Sequence, residues 1–420
     1  MPFTPRRPMF ATAFVLTASL VAVAPGRAGP GPVPTPAQRA IHQRLITLDT
    51  HLDTPANFAR PGWLFGDRHS LDSDFSQVDM PRMADGGLDG GFFAIYTPQG
   101  PRTPEATRAA RDFALMRATE IRETVSRYPD KMELAFTADD AARIAAAGKI
   151  IVYQSMENGY PLSGDLTLME TFYKLGVRLM GPVHFRNNDL GDSASDPAGP
   201  EWHGLSPLGK RFIAEANRLG IVVDASHASE DVLDQAIALS ATPVLLSHSG
   251  CRAVFDHPRN VDDAHLRKLA ASGGVIQINS YADYLGPIPP NADRDAALKS
   301  LVTRMGIRRD LTPAAIATMV KERNAILARY PGSRLDFDAF FKHLLHALKV
   351  VGPDHVGIGL DWDGGGGVDG LADVSAIPKI TAALLAAGYT EADVAKIWSG
   401  NVLRVVRATQ AYAIAKADAK

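Results

Sequence analysis

At 420 residues with 46% hydrophobic content, the chain can bury a large core, and its composition is not that of a disordered protein. Lys plus Arg, at 44, nearly balances Asp plus Glu, at 46, so a formal charge of -2 gives no electrostatic reason to expect nucleic acid or an anionic membrane as partner, and a small neutral or zwitterionic ligand fits better. The single cysteine, Cys251, excludes an internal disulfide and reads as a small, buried, inert side chain.

In chain order, Arg6 and Arg7 precede an uncharged, mostly apolar run over residues 9–24, which ends in Pro25-Gly26-Arg27-Ala28. This is the layout of a secretory signal peptide over residues 1–28, with cleavage expected near Ala28. The run is shorter than the ~20 residues that span a bilayer. No cysteine follows it to carry a lipid anchor, and Pro8 directly after the arginine pair argues against twin-arginine export. Residues 29–38 read as a Gly/Pro-rich linker, and residues 39–415 as one folded domain.

Within that domain, short apolar runs rich in β-branched residues predict strands over 45–50, 91–96, 150–155, 177–183, 221–225, 243–247, 274–279 and 356–360. Amphipathic stretches such as 207–219, 229–239, 262–271 and 337–351 carry the chain back between them. Alternation of strand and helix predicts a parallel sheet, and eight repeats predict closure into a (β/α)₈ TIM barrel, with a doubly wound open sheet as the structural alternative. Residues 284–334 are too many for a simple connection after the seventh strand, and read as an insertion at the barrel mouth with its own helix over 313–328.

Four predicted strand ends carry residues that bind divalent metals well, and a TIM barrel gathers its chemistry at that face. His51 and Asp53 end the first strand on one side of an extended chain, where they can reach one ion together. Glu157 is the first acid after the third run, and a carboxylate can bridge two cations. His227 and His248 sit in Ser-His-(Ala/Ser) at the ends of the fifth and sixth strands, and neutral imidazoles of this kind are zinc ligands.

Beyond the last strand, Asp361 is placed to move a proton between water and a leaving amine, with Asp363 read as a turn residue before the glycines from Gly364 to Gly367. His184, ending the fourth strand, can ligate metal or donate a hydrogen bond to a developing oxyanion. Arg259 can pair with a substrate carboxylate.

With these residues assembled, the chain resembles the membrane dipeptidase (renal dipeptidase) family, peptidase family M19 of the amidohydrolase superfamily, over roughly residues 40–410. The resemblance is carried by Gly204-Leu-Ser-Pro-Leu-Gly-Lys, Asn217-Arg-Leu-Gly, Asp224-Ala-Ser-His227, Ser247-His248-Ser, His257-Pro-Arg-Asn260 and Asp354-His-Val-Gly-Ile-Gly. It implies a binuclear dipeptidase in which His51 and Asp53 hold one Zn²⁺, His227 and His248 the other, and Glu157 bridges them. A hydroxide between the ions would attack the peptide carbonyl, while Asp361 shuttles the proton, His184 steadies the tetrahedral intermediate and Arg259 binds the terminal carboxylate.

The chain departs from the family pattern in Asn158 between Glu157 and Gly159, in Leu360 and Trp362 around Asp361, and in the length of the insertion. Dipeptides, including those with a C-terminal D-residue, are the substrates the resemblance implies, and a homodimer is its expectation for assembly. Hydrolysis of an N-acyl amino acid or a lactam is the rival activity, and a non-catalytic periplasmic peptide-binding protein the rival class.

Overall fold

The computed structural model describes residues 31–306 and 310–419. The predicted signal peptide and the start of the linker lie outside these residues. The linker ends earlier than expected, because Thr35 and Gln38 form a capping box that starts a helix, Pro36–Arg44.

Ten strands follow among the described residues: β1 (Leu48–Leu52), β2 (Gly90–Ile95), β3 (Met132–Leu134), β4 (Ile150–Met156), β5 (Val177–Met180), β6 (Val222–Val223), β7 (Leu245–Cys251), β8 (Asn260–Val261), β9 (Val275–Ile278) and β10 (Val356–Ile358). One parallel sheet runs β1-β2-β4-β5-β6 and another β10-β9-β7. Two single bridges close the ring, Asp224 to Leu245 and Leu52 to Trp362, the second reinforced by the Asp53 N–H donating to the Trp362 carbonyl at 2.9 Å. The eight predicted strands are therefore the eight staves of a TIM-type barrel.

The short β3 and β8, which sequence reading did not find, add to the sides of β4 and β7. Several strand boundaries also move; β5, for example, ends at Met180 and β10 at Ile358. β1 starts at Leu48 because Leu45 closes the preceding helix, β6 is shorter than its apolar run, and β7 extends through His248 to Cys251.

Every residue of β1, β2, β5, β7 and β9 is buried, as a sheet covered on both faces requires. The returning helices carry explicit start signals. Ser206 accepts from the Gly209 N–H with Pro207 in the first turn of Pro207–Leu219, and Gly220 ends that helix in the left-handed region at φ 82°. Ser229, Asp262 and Asp336 cap Glu230–Leu239, Asp263–Ala271 and Phe337–Val351 in the same way.

After β9 the chain makes one short turn of helix, Ala282–Leu285, and then the longer helices Ala292–Met305 and Pro313–Arg329. They enclose a small core of their own, in which Leu301, Ile316, Met319 and Val320 pack with Phe75 from the β1–β2 connection.

Candidate metal centre

Ligand-type side chains converge where the strands end. His51 lies in β1 with Asp53 just beyond it, Glu157 directly follows β4, His248 lies in β7, and His184, His227 and Asp361 follow β5, β6 and β10. All seven are at most 8% exposed. Glu157 is the centre of the group. Its Oε1 lies 3.1 Å from His227 Nε2, 3.3 Å from His184 Nε2, and 3.6 Å from the Nε2 atoms of His51 and His248.

His51 Nε2 also stands 3.3 Å from Asp53 Oδ2, and the Nε2 atoms of His227 and His248 are 2.8 Å apart. Three overlapping sets bring their ligand atoms within 4.8 Å of one another: His51, Asp53 and Asp361; His51, Glu157 and His248; Glu157, His184 and His227. The pairs expected to share an ion are thus adjacent, and His184 and Asp361 join the same cluster. Among the described residues, the buried His51 Nε2 has carboxylates at ion-pair distance but makes no hydrogen bond, and the buried Asp53 Oδ1 makes none either, which suits atoms kept for an ion.

Local backbone geometry is specialised here. His227 and Asp361 adopt positive φ, 66° and 63°, a conformation that costs a non-glycine residue about 1–3 kcal/mol and clusters at functional sites. The glycine run after Asp361 serves close approach. The N–H groups of Gly364, Gly365 and Gly366 all turn toward the Asp361 carbonyl, and a Cβ at 364 would collide with both Asp53 Oδ2 and Asp361 Oδ1. Asp363, by contrast, is occupied structurally, its carboxylate accepting from Thr54 Oγ1 and the Gln77 N–H at 2.8 Å each.

Arg259 is 3% exposed and donates from Nη2 to the His248 carbonyl at 3.0 Å, while its buried Nε has no hydrogen-bond partner among the described residues. The ring of Tyr284 lies 5.2 Å from its guanidinium carbon. The guanidinium therefore stands beside the metal-type cluster with donor capacity to spare.

Charges inside the cluster set its proton affinities. Burial pushes Asp361 well above the usual carboxylate range, and the negative neighbours Asp53 and Glu157 add to this. Burial also opposes charge on Glu157, but the imidazoles of His184 and His51 outweigh it and hold Glu157 well below its ordinary value. Burial, with Arg259 and neighbouring imidazoles adding to it, keeps His227 and His248 well below theirs, so both are neutral and able to offer a lone pair.

Another cluster, Glu230, Asp262 and His265, is only half-buried, and its neighbourhood is neutralised by Arg252 on Glu230 at 2.7 Å and Lys268 on Asp234 at 2.7 Å. It reads as a surface ion-pair network.

Sequence reading passed over two contributors. Tyr96, which ends the second predicted strand, sets its ring edge-on to His184 at 5.1 Å, and its buried hydroxyl has no partner. Asp49, inside β1, accepts the N–H groups of His51 at 2.9 Å and Leu360 at 3.1 Å, tying the strand that bears His51 to the one before Asp361. The signal for Asp49 was a charged residue inside a predicted strand.

Comparison with known proteins identifies the family. The family profile described as "Membrane dipeptidase (Peptidase family M19)" matches residues 36–419. The chain belongs to the membrane dipeptidase family.

Among relatives of this M19 family member, a dipeptidase of Claviceps purpurea, tcpJ, is 32% identical over 336 residues, covering 79% of this chain and 68% of the relative. The crystal structure of the probable dipeptidase PvdM from Pseudomonas aeruginosa superposes with a TM-score of 0.74 at 31% identity, over 90% of this chain and 98% of that one. A metallopeptidase from Rhodobacter sphaeroides, solved with a phosphinate mimic of the dipeptide L-Ala-D-Ala, gives a TM-score of 0.68 at 26% identity, over 87% and 99% of the two chains.

Proposed function

We propose that this M19 protein is an exported, zinc-dependent dipeptidase that hydrolyses dipeptides to free amino acids at a centre where two metal ions would share Glu157. The observation that carries the reading is Glu157 Oε1 within 3.1–3.6 Å of four imidazole nitrogens on four different strand ends or loops. The donor set fits two divalent ions: His51 with Asp53 would hold one, His227 with His248 the other. Bound there, the ions supply Lewis acidity and make water nucleophilic at neutral pH, so no serine or cysteine nucleophile is required.

The chain's own residues do the rest. Arg259, with its unpartnered buried Nε, binds the dipeptide's terminal carboxylate and fixes its direction across the rim. His184 donates from Nε2 to the carbonyl oxygen as that oxygen gains negative charge. Asp361 takes up the proton released when water adds to the carbonyl, then delivers it to the departing amine nitrogen. Phe185, 40% exposed and packed on the rings of His184 at 3.9 Å and His227 at 5.2 Å, gives the mouth an apolar wall for a substrate side chain.

The Rhodobacter relative's L-Ala-D-Ala mimic supports acceptance of a D-residue on the C-terminal side. The signal-like segment over residues 1–28 supports action outside the cytoplasm.

The test is a substrate series in which each dipeptide is paired with its N-acetylated form. A dipeptidase releases amino acids from the free dipeptide and acts poorly on the acetylated one. Equal turnover of both would assign the chain to general amide hydrolysis instead.

A further inference from the structure

His248 is held from behind by two residues outside the ligand set. Ser247 Oγ lies 2.8 Å from His248 Nδ1 and 2.5 Å from Asp224 Oδ2. The other oxygen of Asp224, Oδ1, accepts the backbone N–H groups of Ser226 and Ser247 at 3.0 Å each. Burial raises the proton affinity of the Asp224 carboxylate, and the three donors that converge on it, the Ser247 hydroxyl and the two backbone N–H groups, act against that push.

The direction of each hydrogen follows. Ser247 gives its one hydroxyl hydrogen to Asp224, so toward His248 its oxygen can only accept. His248 must then carry its ring hydrogen on Nδ1, leaving the Nε2 lone pair free toward Glu157 and His227. His227 has no such support among the described residues, where its buried Nδ1 makes no hydrogen bond. Asp224 also orders the turn around both histidines: the Ser226 whose N–H it holds accepts from the His248 N–H at 3.0 Å.

We propose that Asp224 and Ser247 are positioning residues that hold His248 in its Nδ1–H tautomer, with Nε2 ready to ligate metal. This rests on the metal-centre reading above and adds to it a hydrogen-bonded chain that selects the ligand atom. Outer partners of this kind typically change metal affinity by about 10- to 100-fold.

Asp224→Asn gives the sharpest test, because its geometry is forced. The amide oxygen must remain on the two backbone N–H groups, which turns the new NH₂ onto Ser247 Oγ. Ser247 then donates to His248 Nδ1, and the ring hydrogen moves to Nε2, where it blocks the ligand atom. Zn²⁺ alone is titrated into the full chain against a chromophoric chelator, with unfolding midpoints measured alongside.

Asp224→Asn and Ser247→Ala should each weaken Zn²⁺ binding by about 10- to 100-fold while the fold is retained. In the parent protein, ¹⁵N imidazole shifts should report His248 protonated on Nδ1. Zn²⁺ affinity equal to the parent in a folded Asp224→Asn variant, or a parent His248 protonated on Nε2, would overturn the proposal. Neither readout uses substrate, so a protein inactive on dipeptides would still decide it.

Discussion

Gly364 leaves the space into which the Asp53 carboxylate fits: a Cβ at that position would collide with Asp53 Oδ2 and with Asp361 Oδ1. One hydrogen-to-methyl change therefore strikes a proposed ligand and the proposed proton carrier together, in a loop whose conformation alanine tolerates. Gly364→Ala is expected to fold and to lose roughly 100-fold in kcat/KM, the scale of a misplacement of about 1 Å at a reacting group. Circular dichroism and dipeptide kinetics check this. Activity near that of the parent would mean that the two carboxylates need not sit where they do.

Arg259 offers a buried Nε with no hydrogen-bond partner among the described residues, which is the form of a site for an incoming carboxylate. Arg259→Ala should cost about 2–3 kcal/mol, roughly 30- to 150-fold in kcat/KM, for dipeptides with a free C-terminal carboxylate. Amidated dipeptides, which the parent handles less well, should be affected little. Equal losses on both substrates would remove the carboxylate role.

How much of this was legible in the sequence differs between elements for physical reasons. The eight staves read clearly because a parallel strand covered on both faces needs an unbroken apolar run, and the helices read clearly because Ser206, Ser229 and Asp262 announce their starts. β3 and β8 were missed because Met132–Leu134 and Asn260–Val261 are too short to show any period. Within the site, His227 and His248 were the more legible, as equivalent residues in successive repeats.

Glu157 was the least legible and proves the most central. A single glutamate after a strand looks like a loop residue until barrel closure brings four imidazoles around it. The roles of Asp49 and Asp224 were hard to read for a related reason: their partners, Leu360 and the Ser247–His248 pair, are remote in sequence or owe their meaning to register.

A pH test lies away from the metal centre, at His343. It accepts the Cys251 N–H on Nδ1 at 2.9 Å and faces the Leu285 carbonyl with Nε2 at 3.1 Å, joining β7 to the helix Phe337–Val351 and to the start of the insertion. Burial pushes its imidazole down to about 4. Unfolded, the side chain titrates near about 6.5, so between these values the unfolded chain binds the extra proton. Its contribution is full above about 6.5 and is lost as the pH falls toward about 4, a change on the order of 3 kcal/mol.

In urea unfolding, His343→Asn should therefore be less stable than the parent at pH 7, yet lose about 2 kcal/mol less than the parent on going to pH 4.5. Parallel losses in the two proteins would mean that His343 does not titrate between the folded and unfolded states as described.

The most direct measurement takes the full chain, strips it with a chelator, and follows release of free amino acids from a set of unmodified dipeptides before and after Zn²⁺ is restored, with bound metal counted at each stage. Loss of hydrolysis on stripping, and its return with two ions per chain, is the result expected of a two-metal dipeptidase centred on Glu157. A protein that holds two Zn²⁺ ions and turns over none of the dipeptides, or one that hydrolyses them equally well without metal, would contradict it.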